Sequence, residues 1–304
     1  MRRCLIIPFF LLAISASCQP KKAGKPDQLI ADLKELSSDK YQGRKMGSAG
    51  SQMAASYISE RFAEIGLKSF NNSYRHKFSN LKAQGTNVLG YIEGKKKNEV
   101  IVISAHFDHI GIIDGKIYNG ADDNASGVAV LLSLAKYFAA HKPQQTLIFA
   151  AFDGEEAGFL GARYFVAHPP LSLNKVILNI NMDMVSRADN GKLYAAGAYH
   201  YPNLKKYLTS TNKTISLIAG HDDPKLGKND WTKQSDHYAF LEKGIPFIYF
   251  GVEDHSDYHS NTDDFERIDT SRFLNCAAII QEVVLKIDAG LSLQNTFREK
   301  LISQ

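Results

Sequence analysis

The apolar run TLIFAAFDGEE (146–156) ends in two adjacent carboxylates, Glu155 and Glu156. Three other apolar runs end in the same kind of chemistry. VIVISAHFDHIG (100–111) delivers His106 and Asp108, VILNINMDM (176–184) delivers Asp183, and PFIYFGVEDHSDYHS (246–260) delivers His255 and His259. A fifth stretch, YNGADDNASG (118–127), sets Asp122 and Asp123 just ahead of an apolar helical pattern. A carboxylate at the end of a buried strand is costly unless something compensates its charge. No Arg or Lys lies within these short motifs. A divalent cation is the economical compensation.

The spacing says how the groups would divide the work. His106 and Asp108 lie two residues apart and point the same way on a strand. That pairing suits a metal-binding imidazole and the carboxylate that fixes its tautomer. Neighbours in an extended segment point to opposite sides. One of Glu155 and Glu156 would then bind metal while the other faces an attacking water as a base. Histidines and carboxylates without thiolates suit zinc, and manganese or cobalt fit similar ligands. A single zinc needs three protein ligands and an open position, whereas a pair of ions about 3.5–4 Å apart, bridged by one carboxylate, would use all the candidates. Each residue has a plainer reading by itself. Asp122, Asp123 and Asn124 fit helix caps. Asp183 fits a buried acid bonded to backbone, His259 a surface histidine, and His106 a satisfied core histidine. The plain readings fail jointly, because they leave the concentration of such groups at strand ends without a cause.

The elements that must position these groups follow from periodicity. Helices are expected over 27–37, 48–66, 126–141, 161–168, 203–212, 236–244 and 271–291, with apolar residues at helical spacing such as Ala54, Ile58, Phe62 and Ile65. Strands are expected over 86–94, 99–108, 145–153, 175–185 and 245–251. The run GKKKNE (94–99) reads as a solvated turn, and 186–235 as loops over a site. Continuous apolar strands alternating with amphipathic helices imply an α/β fold. It would be a single three-layer domain with a mostly parallel mixed central sheet and helices on both faces. Ligands of such sheets gather beyond the carboxyl ends of the strands.

The formal net charge is +4, and Arg2 and Arg3 of a leader-like segment supply two of those charges, which leaves no nucleic-acid footprint. Residues 1–18 read as a signal peptide of lipoprotein type, with Cys18 as the lipidated residue and 19–26 as a tether. The protein is therefore expected to be exported to the bacterial cell envelope (periplasm or outer membrane) or, without the anchor, secreted, its membrane contact limited to that anchor. The catalytic domain is expected over 27–290, followed by a tail at 291–304. Cys4, Cys18 and Cys276 are the only cysteines, so no disulfide framework is possible and any metal must be held by His, Asp and Glu. Cys276 reads as a small core residue.

The ordered motifs HFD, GADDNASG, GEEAGFLGA, NMDM, SDH and YHSNTDD, with GRKMGSAG at 43–50, resemble the two-zinc exopeptidases. That family includes bacterial leucyl aminopeptidases, glutamate carboxypeptidase II and the glutaminyl cyclases. The resemblance spans roughly 30–288 and implies two zinc ions. It makes His106 and Asp183 ligands of one ion, Glu156 and His259 ligands of the other, and Asp123 the bridging carboxylate. It makes Glu155 the general base, Asp108 the acid behind His106, and Tyr258 a support for the tetrahedral intermediate. Asp236 and His237 fall in the SDH segment as structural support. The implied activity is aminopeptidase action on peptide substrates. Glutaminyl-peptide cyclisation on the same fold, or a silent binding domain, are the alternatives. Tyr199, Tyr201, Trp231 and Tyr258 offer aromatic surface for substrate, while Arg163 and Arg187 read as salt-bridged surface residues.

Overall fold

The computed structural model describes residues 26–79 and 84–291. The expected signal peptide, Cys18, nearly all of the tether and the tail beyond 291 lie outside the described residues. Eight strands form one sheet. In chain order the strands are β1 (Arg75–Ser79), β2 (Gln84–Ile92), β3 (Lys96–His106), β4 (Gly111–Ile113), β5 (Lys116–Tyr118), β6 (Gln145–Phe152), β7 (Val176–Met182), β8 (Lys192–Ala196), β9 (Ser216–Ala219) and β10 (Phe247–Gly251). The helices are α1 (Pro26–Leu36), α2 (Ala49–Ile65), α3 (Gly127–Ala140), α4 (Leu160–Ala167), α5 (His237–Leu241) and α6 (Thr270–Gly290). The sheet order is β1-β2-β6-β3-β7-β10-β8-β9, and β4 and β5 form a separate hairpin.

The four central strands β6, β3, β7 and β10 run parallel. Antiparallel pairings attach β2 to β6 and β8 to β10 at the two sides. The chain leaves β3 for β6 on one side and then crosses to β7 on the other. That reversal opens a crevice beyond the carboxyl end of β3, where ligands of open α/β sheets bind.

Why the central strands read as unbroken apolar runs is clear from their burial. Every residue of β6 and β7 is buried. Alternate residues serve opposite faces. Ile101, Ile103, Leu147 and Phe149 pack with α1, α2, α3 and α6, while Val102, Ile148 and Ala150 pack with α4 and α5. Ser48 caps α2 by accepting from Ser51 N, and Asp269 caps α6 by accepting from Ser271 N and Arg272 N. Cys276 is buried in α6, and burial pushes its thiol up to about 12. No described helix is long and apolar enough to cross a membrane.

Three expectations need correction. Lys96–Glu99 are not a turn but the exposed start of β3, which an irregularity between Lys96 and Val100 connects to the buried part. The 203–212 pattern yields only a short 3-10 turn, Pro202–Tyr207. The supposedly irregular 186–235 contains β8 and β9, which extend the sheet. β1 and the β4–β5 hairpin carried no apolar run strong enough to announce them.

Candidate metal centre

The ends of the four parallel strands deliver the expected groups to one place. His106 is the last residue of β3 and is buried. Its Nε2 lies 3.1 Å from Asp183 Oδ1 and 3.4 Å from Asp123 Oδ1. Glu155 joins His106 and Asp183 in one cluster of metal-competent atoms. Asp123 turns its other oxygen the opposite way. Its Oδ2 lies 3.2 Å from His259 Nε2 and 3.7 Å from His109 Nδ1. Glu156 stands beside both, with Oε1 2.8 Å from His109 Nδ1 and Oε2 3.4 Å from His259 Nε2. The donors thus form two clusters that share Asp123.

Local structure explains how Glu155 and Glu156 part company. β6 ends at Phe152, and Gly154 then takes a left-handed φ of 79°. A Cβ there would meet Met46 Sδ at 2.5 Å, so only glycine suits the turn. Asp108 holds the next two residues through main chain, since its carboxylate accepts Glu155 N at 3.0 Å and Glu156 N at 3.4 Å. The expected link from Asp108 to His106 takes a different form. His106 Nδ1 lies 3.2 Å from the Asp108 main-chain oxygen, and the carboxylate stands at 3.7 Å. Asp108 therefore serves the glutamate loop most directly, because its oxygens are engaged by the two amides.

Further partners orient the other acids. Ser235 Oγ donates to Asp183 Oδ2 at 2.7 Å, and Asn181 Nδ2 donates to Ser235 Oγ at 2.9 Å. This leaves Asp183 Oδ1 for the cluster. Asp263 accepts the amides of Asp122 and Asp123, at 2.9 and 3.0 Å, and so fixes the turn Ala121–Ser126 against the loop that carries His259. Asp122 faces away, accepting from the Ser186 amide at 2.7 Å and lying 3.1 Å from His255 Nε2. His255 accordingly belongs to this supporting network and not to the clusters.

The electrostatics are those of crowded, buried anions. Burial holds the Glu155 carboxyl well above the ordinary carboxylate range; His106 opposes the shift, and Asp183, Asp236 and Glu156 add to it. Burial likewise raises Asp123. Burial acts on Glu156 in the same sense, but hydrogen bonds from His109 and His259 outweigh it and hold the group below the usual range. Burial pushes Asp236 up to about 8, and neither of its oxygens has a hydrogen-bond partner among the described residues. His237 is driven down to about 4 by burial.

Sequence reasoning did not single out His109, Arg44, Ser235 or Asp263. His109 was visible as the third polar residue of HFDHIG, and Ser235 as the first of SDH. Arg44 was visible only as the second residue of GRKMGSAG, with nothing to mark its role. It is fully buried and donates to four main-chain oxygens: Leu36 at 2.6 Å, Phe107 at 2.7 Å, Asn119 at 2.5 Å and Gly120 at 2.9 Å. This one guanidinium ties α1 to both the loop after His106 and the loop before Asp123.

The expected aromatic surface is smaller than the sequence suggested. Tyr201 is buried, and so is Trp231, which stacks on His221 at 3.9 Å. Tyr199 and Tyr258 are exposed. The Tyr258 ring stacks on His259 at 4.0 Å, which places it at the edge of the second cluster. Arg163 pairs with Glu242 at the surface, as expected, whereas Arg187 pairs with Asp257 and Asp189 but is largely buried rather than a surface residue.

This arrangement can be set beside known proteins. Residues 87–284 match the model of peptidase family M28. A probable zinc metalloprotease of Pyrenophora tritici-repentis is 33% identical over 177 residues, covering 47% of this chain and 40% of that protein. Aminopeptidase YwaD of Bacillus subtilis is 27% identical over 238 residues, covering 74% of this chain and 47% of the relative. The chain thus spans less than half the length of these two relatives. A glutaminyl cyclase from Porphyromonas gingivalis superposes with a TM-score of 0.69 at 16% identity, over 88% of this chain and 99% of that one, a likeness of fold. With the matched segment running from β2 into α6 and enclosing both clusters, the chain belongs to peptidase family M28.

Proposed function

We propose that the chain is a zinc-dependent aminopeptidase that holds two ions between its clusters. The observation that carries this reading is Asp123, whose two oxygens face different imidazoles, His106 and His259. The donor set fits a divalent metal. Asp123, Asp183, Glu155 and Glu156 form a buried or half-buried group of acids, and none pairs with Lys or Arg among the described residues. Imidazole and carboxylate donors without thiolate suit zinc. His106, Asp183 and Asp123 would hold one ion, and Asp123, Glu156 and His259 the other. Bound there, the ions supply Lewis acidity, which acidifies water and polarises a peptide carbonyl.

The chain's own residues would do the rest. Glu155, beside His106 and Asp183, takes a proton from the attacking water. Its burial raises its proton affinity above that of an ordinary carboxylate, in the sense that suits a proton acceptor. It then returns that proton to the leaving amine. Asp108 sets the angle of approach by holding the Glu155 and Glu156 amides. Tyr258, exposed and stacked on His259, would donate its hydroxyl to the developing oxyanion.

Glutaminyl cyclisation is the rival, favoured by the cyclase likeness in fold. The full donor set around His106 supports hydrolysis instead. Purified protein with leucyl and glutaminyl reporters separates them: amine release from the leucyl reporter is expected, and ammonia release from the glutaminyl reporter alone would reverse the assignment. The leader-like 1–18 segment supports export and anchoring at Cys18, which palmitate labelling of expressing cells would test.

A further inference from the structure

We propose that His109 is a fourth protein ligand of the second cluster, so that protein closes one metal position while the position beside Glu155 keeps an open site. The inference rests on the two-ion reading above. His109 is buried, and its Nδ1 faces Glu156 Oε1 at 2.8 Å and Asp123 Oδ2 at 3.7 Å. His259 Nε2 approaches the same two carboxylates at 3.4 and 3.2 Å. Four donors around a zinc at about 2.0–2.1 Å sit about 3.3–3.4 Å from one another in a tetrahedron. His109 Nδ1, Asp123 and Glu156 lie within 4.8 Å of one another as one metal-competent group, and His259 meets the same two carboxylates from the other side, at Glu156 through Oε2 where His109 uses Oε1. A hydrogen bond from His109 to Glu156 would explain the shortest contact. It does not explain why Nδ1 also lies near Asp123, on the pair of acids that His259 serves.

The ring is held in this pose by packing. Its Nε2 is buried and has no hydrogen-bond partner among the described residues, so Nδ1 is the nitrogen that meets the anions. Gly120 has a φ of 56°, and a Cβ there would stand 2.6 Å from His109 Cγ and Cδ2. The glycine therefore makes room for the imidazole. The first cluster offers His106, Asp183 and Asp123, which is three protein donors and an open position. With His109, the second offers two imidazoles and two carboxylates, a filled tetrahedral set. The two positions would differ in affinity and in their freedom to take substrate.

Cobalt(II) titration of the metal-free protein tests this without any activity assay, reading equivalents bound and visible absorption. Wild type is expected to fill one position tightly, with the strong absorption of tetrahedral cobalt, and the other more weakly. His109→Asn keeps a hydrogen-bond donor near Nδ1 but lacks the imidazole. It is expected to weaken the tight step at least tenfold and dim its absorption, whereas His106→Ala keeps that step. If His109→Asn titrates like wild type, His109 only hydrogen-bonds Glu156 and the ligand assignment is overturned. If wild type binds no cobalt, the two-ion reading falls and takes this inference with it. Should His109→Asn fail to fold, His109→Gln, read in the same titration, decides in the same way.

Discussion

Glu155 and Glu156 are neighbours in the chain, yet their carboxylates enter different clusters, Glu155 with His106 and Asp183, Glu156 with His109 and Asp123. The division is made by the left-handed turn at Gly154 and by Asp108, which holds both amides. Two acids of identical chemistry thereby acquire different work.

The first expectation concerns that work. Glu155→Gln should lower kcat by about 10²–10⁴-fold, the usual contribution of a positioned proton acceptor. Metal content by mass spectrometry should stay at the wild-type level. Surviving turnover would remove Glu155 from the base role.

Metal removal should be felt in the fold as well as in activity. Ions bound only by the native state stabilise it by mass action, by about 4 kcal/mol at a thousandfold excess over Kd. Chelation should abolish turnover and lower Tm by more than about 5 °C. Zinc readdition should restore both. A thermal midpoint indifferent to chelator would speak against the centre.

Ser235 reaches the site only through Asp183, with its hydroxyl 2.7 Å from Oδ2. Partners of this kind typically govern metal affinity by about 10–100-fold. Ser235→Ala should therefore weaken the position held by His106 and Asp183 while leaving the His259 position intact. Competition against a chromophoric chelator reads the two steps separately.

Arg44 makes a prediction about stability. Its guanidinium serves four buried carbonyls that no other residue type could satisfy together. Arg44→Met should cost on the order of 3–5 kcal/mol in urea unfolding, because those oxygens lose their donors. Arg44→Lys, with three donors, should fall between. An unchanged midpoint for Arg44→Met would show that water replaces the guanidinium at no cost.

The strand ends show how much could be read in advance. β3, β6, β7 and β10 each announce themselves as an apolar run because both their faces are covered by helices. The acids and histidines stand out at the ends of those runs because burial makes a charge conspicuous. β8 and β9 escaped notice because they are short strands toward the edge of the sheet, and β9 is mostly exposed. Trp231 and Tyr201 looked available for substrate, but packing against Tyr249 and Phe247 of β10 buries them.

By itself, then, the sequence determined which residue types stand at the ends of which strands, and with them the demand for a cation. That information is local, since it resides in periodicity and in the cost of burying an anion. Tertiary structure alone decided how the groups associate. Sheet order places β6 and β7 on either side of β3, so that Asp183 meets His106 and Glu155 across sequence separations of 77 and 28 residues. Arg44, Asp263 and His109 take their positions from the same convergence. Their partners are main-chain groups or carboxylates distant in the chain, and no pattern of neighbouring residues encodes such a meeting.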